Sequence, residues 1–159
     1  MRVPVGNSNI EIPDNPRIDW QGVIIHHSFT TDGRNLSSYD AIKEYHTKEM
    51  GWNDIAYHYV IEYVNNILTL RSGRSLDTVG AHCVGKNQTH IGICVVGNFD
   101  VESPDNEHYK LLAQLCCALT QGYAKINVRN IKPHSLYAVK TCPGRLFDFA
   151  RLIVDTEEI

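Results

Sequence analysis

The chain has 159 residues, 43% of them hydrophobic and 21% charged, with a formal net charge of −3. Length and apolar content suffice for one domain with a sizeable core. The acidic balance argues against a general nucleic-acid binder, which needs excess Lys and Arg against phosphate, and no apolar run is long enough for membrane insertion.

In chain order, Met1 to Ser8 has no apolar centre, so it does not read as a secretory signal. Residues 1–20 are polar and carry Pro4, Pro13 and Pro16, which predicts an extended N-terminal arm lying on a domain of residues 21–159. Val23 to His27 is a β-branched run, hence a buried strand with two histidines at its exit. A helix is predicted from Leu36 or Ser37 to Met50, capped by Ser37 or Ser38 and ended by Gly51, with Tyr39, Ile42, Tyr45 and His46 on its inner face. Tyr57–Val64 and Ile67–Leu70 read as a hairpin about Asn65-Asn66, followed by a long loop to Asn87. Ile91–Val96 is a second buried strand. Asn106–Lys125 is the longest helix, with Leu112, Leu115, Cys116, Leu119 and Tyr123 at helical spacing. Val128–Pro133 is a short strand, and Pro143 suits the first turn of a final helix with Leu146, Phe149, Leu152 and Ile153 facing in. Interleaved strands and helices predict an α/β fold, a central mixed sheet flanked by helices.

The five cysteines are odd in number and form no disulfide framework, which suits synthesis in a reducing compartment. Cys94, Cys116 and Cys117 fall in apolar strand or helix patterns and read as buried thiols; the loop residue Cys83 is undecided. Cys142 differs, because His134, Lys140 and Cys142 crowd one short stretch. Packing does not ask for that trio. Imidazole nitrogen and thiolate are preferred zinc ligands, so His134 and Cys142 suggest a metal site, with His26 as the best third donor. Three protein ligands leave one coordination position open, the pattern of a catalytic zinc.

Five segments carry a more specific likeness. They are Val23–Ser28, Gly51–Tyr59, Val79–His82, Ile91–Gly97 and His134–Gly144. In this order they resemble the zinc-dependent N-acetylmuramoyl-L-alanine amidases of the type-2 family, which include phage amidase lysozymes and peptidoglycan recognition proteins. The compact phage type is the nearer likeness, through Trp52 to Tyr57 and Lys140-Thr141-Cys142.

The resemblance implies an amidase/peptidoglycan recognition protein-like fold and one zinc per chain on His26, His134 and Cys142. It implies hydrolysis of the amide between N-acetylmuramic acid and L-alanine, for which zinc activates water and polarises the carbonyl. Tyr57 corresponds to the family's catalytic tyrosine and Lys140 to a cation for the developing oxyanion. His82 and Asn87 correspond to groove residues at the substrate, and Trp52 either walls the groove or packs. His27 points to the opposite side of its strand, in a supporting or packing role. The family's usual serine before Ile-Gly is replaced by His90. The implied partner is peptidoglycan or a muropeptide and the expected state a monomer. The expected setting is synthesis in the cytoplasm and action on the wall at phage lysis, with a periplasmic or secreted enzyme as the alternative. Two other classes stay open: a module that binds peptidoglycan without cutting, and a phage regulator that binds another protein.

Overall fold

The computed structural model describes residues 1–159. Five strands form one sheet in the order β5-β4-β6-β3-β7. They are β3 (Gly22–His27), β4 (Tyr59–Val64), β5 (Ile67–Ser72), β6 (His90–Val95) and β7 (Ile131–Pro133). Strands β4, β6, β3 and β7 run parallel, and β5 returns antiparallel along β4. The sheet is therefore mixed, as the interleaved sequence pattern implied. All six residues of β3 and of β6 are buried, which explains their near-continuous apolar character. Within the first 20 residues a separate hairpin forms from β1 (Arg2–Val5) and β2 (Ser8–Glu11), whose Val3, Val5, Ile10 and Ile12 join the main core.

Helix α2 (Asn106–Gly122) covers one face of the sheet. Its Leu112, Leu115, Cys116 and Leu119 are fully buried against Val23, Ile25, Ile91 and Ile93. Asp105 caps it by accepting from the His108 N–H, and the His108 ring accepts from the Asp105 N–H in return. Cys116 is buried, but Cys117 is only half-buried, because adjacent helical residues point about 100° apart. On the other face, α1 (Tyr39–Glu44) packs Tyr39 and Ile42 near Ile55, Val60 and Cys94.

Several boundaries differ from the sequence reading, each for a local reason. Helix α1 starts at Tyr39, and Ser38 makes no side-chain cap. The capping is shared: Ser37 Oγ accepts from Tyr39 N at 3.2 Å, and Oε1 of Glu62 on β4 accepts from Ser38 N at 2.6 Å and Tyr39 N at 3.2 Å. After Glu44 the helix widens into a π-turn over Tyr45–Glu49. That turn leaves Tyr45 57% exposed rather than inward. Strand β4 begins at Tyr59, so Tyr57 lies in the loop before it. The span from Val128 opens with a 3-10 turn, Val128–Asn130, before β7. The last helix, α3 (Phe149–Glu157), begins well beyond Pro143. Residues 143–148 are pinned to the segment after β6: Leu146 N donates to the Phe99 carbonyl at 2.7 Å. Gly144 has φ +122, and a Cβ there would meet the Phe99 backbone at 2.4 Å. Asp148 caps α3 through Arg151 N, and Leu146 is left 45% exposed.

Glu62 is fully buried and also accepts from Ser37 Oγ at 2.7 Å and Arg71 at 3.1 Å. Removing it leaves the Ser38 N–H without its acceptor and half-buried Arg71 without its ion-pair partner. Glu62→Ala should therefore cost about 3 kcal/mol in urea unfolding, far more than an exposed carboxylate such as Glu11.

Candidate metal centre and active site

The parallel strands deliver their chemistry at their carboxyl ends, the usual place for a site in an α/β sheet. His26 sits near the end of β3 and His134 directly follows β7, its neighbour in the sheet. Cys142 returns beside them on the loop after β7, held there by Ser135 N donating to the Cys142 carbonyl at 2.8 Å. One nitrogen of each imidazole and the Cys142 sulfur all lie within 4.8 Å of one another, and all three residues are buried. His26 Nδ1 is 3.8 Å from Cys142 Sγ. Nitrogen and sulfur ligands on one tetrahedral zinc lie about 3.6 Å apart, so the donor set fits that ion in type and spacing.

Burial, then the neighbouring His82 and His134, holds the His26 imidazole well below its ordinary pKa. Burial likewise lowers His134, with Lys140 nearby adding to the effect. Both rings are neutral at pH 7, the form that ligates metal. Burial pushes the Cys142 thiol up to about 11 in the metal-free protein. The His27 N–H points at its sulfur from 3.4 Å, ready to support a thiolate.

The three donors lie in an open groove of about 860 Å³. Tyr57 lies beside the His26 ring, centroids 5.1 Å apart. Burial first, and the Cys94 and Cys142 sulfurs second, raises its phenol well above the ordinary value, so its O–H stays a donor. Lys140 is exposed on the same groove. Trp52 is half-buried on the wall, packed against His46 with centroids 5.1 Å apart. His82 lines the groove beside His26, with its Nδ1 2.9 Å from His26 Nε2. Burial pushes His82 down to about 3. Asn87 lines the groove but spends its Oδ1 on the backbone N–H groups of His82 and Cys83, at 2.8 and 3.0 Å. His27 faces away from the three donors: its Nδ1 accepts from Phe99 N at 3.1 Å. The His90 side chain meets Thr89 Oγ1 at 2.7 Å and stands edge-on to Tyr137, away from His26.

Among the groove residues that sequence reasoning did not assign to the site, four matter most. His46, expected on the inner face of its helix but not at the groove, lines it from the π-turn, where its Nδ1 accepts from Ala56 N at 3.0 Å. Phe29, with φ 61, stands 62% exposed on the rim, and a left-handed phenylalanine has no sequence signal. Asp100 holds the loop that carries Lys140 and Cys142 by accepting from Thr141 Oγ1 at 2.8 Å and Arg145 N at 2.9 Å. The Arg145 N–H and the Thr141 hydroxyl keep its carboxyl below the usual range. Cys83, undecided from sequence, is a buried residue on the groove wall.

Comparison with known proteins gives this geometry a family. Residues 15–145 match the N-acetylmuramoyl-L-alanine amidase family. The endolysin of Enterobacteria phage T3 is 30% identical over 138 residues, 86% of this chain and 87% of its own length. The solved N-acetylmuramoyl-L-alanine amidase LysC from Clostridium intestinale URNW superposes with a TM-score of 0.75 at 26% identity, over 94% of this chain and 95% of that one. Peptidoglycan recognition protein-LE, solved in complex with tracheal cytotoxin, a monomeric diaminopimelic acid-type peptidoglycan, gives 0.66 at 25% identity, over 86% and 82%. Fold and matches define an enzyme, an amide hydrolase. The chain belongs to the N-acetylmuramoyl-L-alanine amidase family.

Proposed function

We propose that the chain cuts the amide between N-acetylmuramic acid and L-alanine with a single zinc ion held by His26, His134 and Cys142. The observation that carries this is the convergence of those three donors within 4.8 Å on the floor of the groove. Bound there, zinc would supply a Lewis acid for the carbonyl and a means of activating water. The protein's own groups do the remaining work. The Tyr57 hydroxyl is kept protonated by burial; its role in this reading is to donate a hydrogen bond to the reacting centre once substrate is bound. The Lys140 ammonium supplies positive charge where the amide oxygen becomes an oxyanion. Trp52 and His46 form an aromatic wall that positions the substrate. The loop carrying Lys140 and Cys142 is held by Asp100, so cation and ligand move as one unit.

This division of labour separates binding from chemistry. Tyr57→Phe and Lys140→Ala should each lower kcat about 100-fold with a much smaller change in KM, because each removes a contact that strengthens in the transition state. Steady-state cleavage of a synthetic muramoyl peptide checks this; an unchanged kcat in both variants would remove their assigned roles.

The substrate class is peptidoglycan or its muropeptide fragments. The setting we propose is lysis: synthesis in the cytoplasm, then access to the wall. Its support is the likeness to a phage endolysin along most of both chains. Mass analysis of a defined muropeptide after incubation is the test. A free stem peptide beginning with L-alanine, with the lactyl carboxylate left on the sugar, supports the reading. Tight binding without cleavage, in zinc-replete protein, contradicts it.

A further inference from the structure

We propose that His82 is a positioning residue for the metal ligand His26, fixing which nitrogen of that ring is free to bind the ion. The inference rests on the zinc site proposed above.

It follows from a chain of hydrogen bonds whose direction is forced at one end. His82 Nε2 lies 2.9 Å from the His90 carbonyl oxygen. A carbonyl only accepts, so Nε2 of His82 carries the proton. A neutral imidazole has a single N–H, so His82 Nδ1 is an acceptor. The group facing it at 2.9 Å is His26 Nε2, which must therefore donate. That leaves the His26 lone pair on Nδ1, the nitrogen facing Cys142 Sγ at 3.8 Å. The order His90 carbonyl, His82, His26 sets the tautomer that a metal at this position requires.

Independent features of the fold support the same role. The His82 ring lies where no side chain is allowed beneath it. A Cβ on Gly92 of β6 would fall 2.5 Å from the ring, and one on Gly80 would fall 2.6 Å from it. The two N–H bonds to Asn87 fix the backbone on either side of that ring. His82 is only 7% exposed, and both ring nitrogens are already engaged within the protein. No ring nitrogen is left for a substrate group. The replacement of the family's serine by His90 is then harmless here, because the relay uses the His90 main chain.

Three variants separate the roles. The Oδ1 of His82→Asn overlays the position of Nδ1 and keeps an acceptor for His26. His82→Gln reaches toward the His90 carbonyl but loses that acceptor, and His82→Ala loses both. Zinc affinity is read by competition with a chromophoric chelator, with thermal melts of the metal-free proteins as a folding control. His82→Ala and His82→Gln should raise the zinc dissociation constant about 10–100-fold, and His82→Asn clearly less. Nitrogen-15 NMR of the metal-free wild type should show His26 protonated on Nε2 and bare on Nδ1, a readout that needs no variant to fold. An unchanged dissociation constant in folded His82→Ala, or a proton on His26 Nδ1, overturns the proposal. A wild type that takes up no zinc overturns the metal-site reading, and this inference with it.

Discussion

Cys142→Ser is expected to lose zinc on gel filtration and to cleave muropeptide at least about 1,000-fold more slowly. Serine matches cysteine in shape, but its hydroxyl stays protonated at pH 7 and offers zinc no anion. The cysteine reaches the thiolate only with help, because burial pushes the metal-free thiol up to about 11. The helpers are the metal and the His27 N–H at 3.4 Å. An oxygen at the same place would be shorter-reaching and uncharged, so both metal affinity and the charge balance around the two neutral imidazoles change. Cys117→Ser is the control: that thiol lies half-buried on α2 and bonds only Gln121 locally. It should retain zinc and activity. Loss of activity in both variants would point to general thiol chemistry instead, and full activity in Cys142→Ser would remove the cysteine from the ligand set.

The second large effect is on stability and comes from His58, which is fully buried beneath the site. Its Nδ1 accepts from Gly92 N at 3.1 Å and its Nε2 donates to the Thr78 carbonyl at 2.8 Å. The ring also stands edge-on to Trp20, centroids 4.9 Å apart. Both nitrogens are used in the neutral form, and a second proton would break the bond from Gly92. Burial accordingly pushes His58 down to about 4. An unfolded histidine titrates near 6.5, so between those values the unfolded chain binds the extra proton and the folded chain does not. The stability of the folded state is therefore complete above about pH 6.5 and falls as pH drops toward 4. From pH 6.5 to 5 this one ring should remove about 1.5 kcal/mol. Urea unfolding of chelator-treated protein at both pH values measures it. His58→Gln, compared in the same metal-free state, should flatten the pH dependence by that amount. An identical slope in the two proteins would show that His58 does not control it.

The parts of this molecule legible in its sequence are those where a local pattern and a chemical requirement coincide. Val23–Ile25 is buried on both faces of the sheet, so it had to be continuously apolar, and the histidines following it stood out. The mixed sheet followed from interleaved strand and helix patterns, and Leu112, Leu115 and Leu119 marked the inner face of α2. What stayed hidden depends on partners distant in the chain. Pro143-Gly144 looks like a helix opening, yet Gly144 packs on the Phe99 backbone and the helix waits until Phe149. Ser37 and Ser38 do stand at the start of α1, and Ser37 Oγ accepts from Tyr39 N, yet Glu62 shares the capping, and its lone charge inside an apolar strand was the available clue. His46 reads as an inner-face residue of its helix, and its place at the groove depends on Trp52 and Ala56, which meet it from the following loop. His82 was visible as a loop histidine, but its place beside the ligand depends on a carbonyl eight residues on and on two glycines that clear its ring.

Diffraction data collected at the zinc absorption edge from crystals of active protein test the metal centre directly. An anomalous peak about 2.0–2.3 Å from His26 Nδ1, a ring nitrogen of His134 and Cys142 Sγ is the predicted result. Catalytically active crystals with no peak at that position, or with the metal bound by other residues, would contradict it.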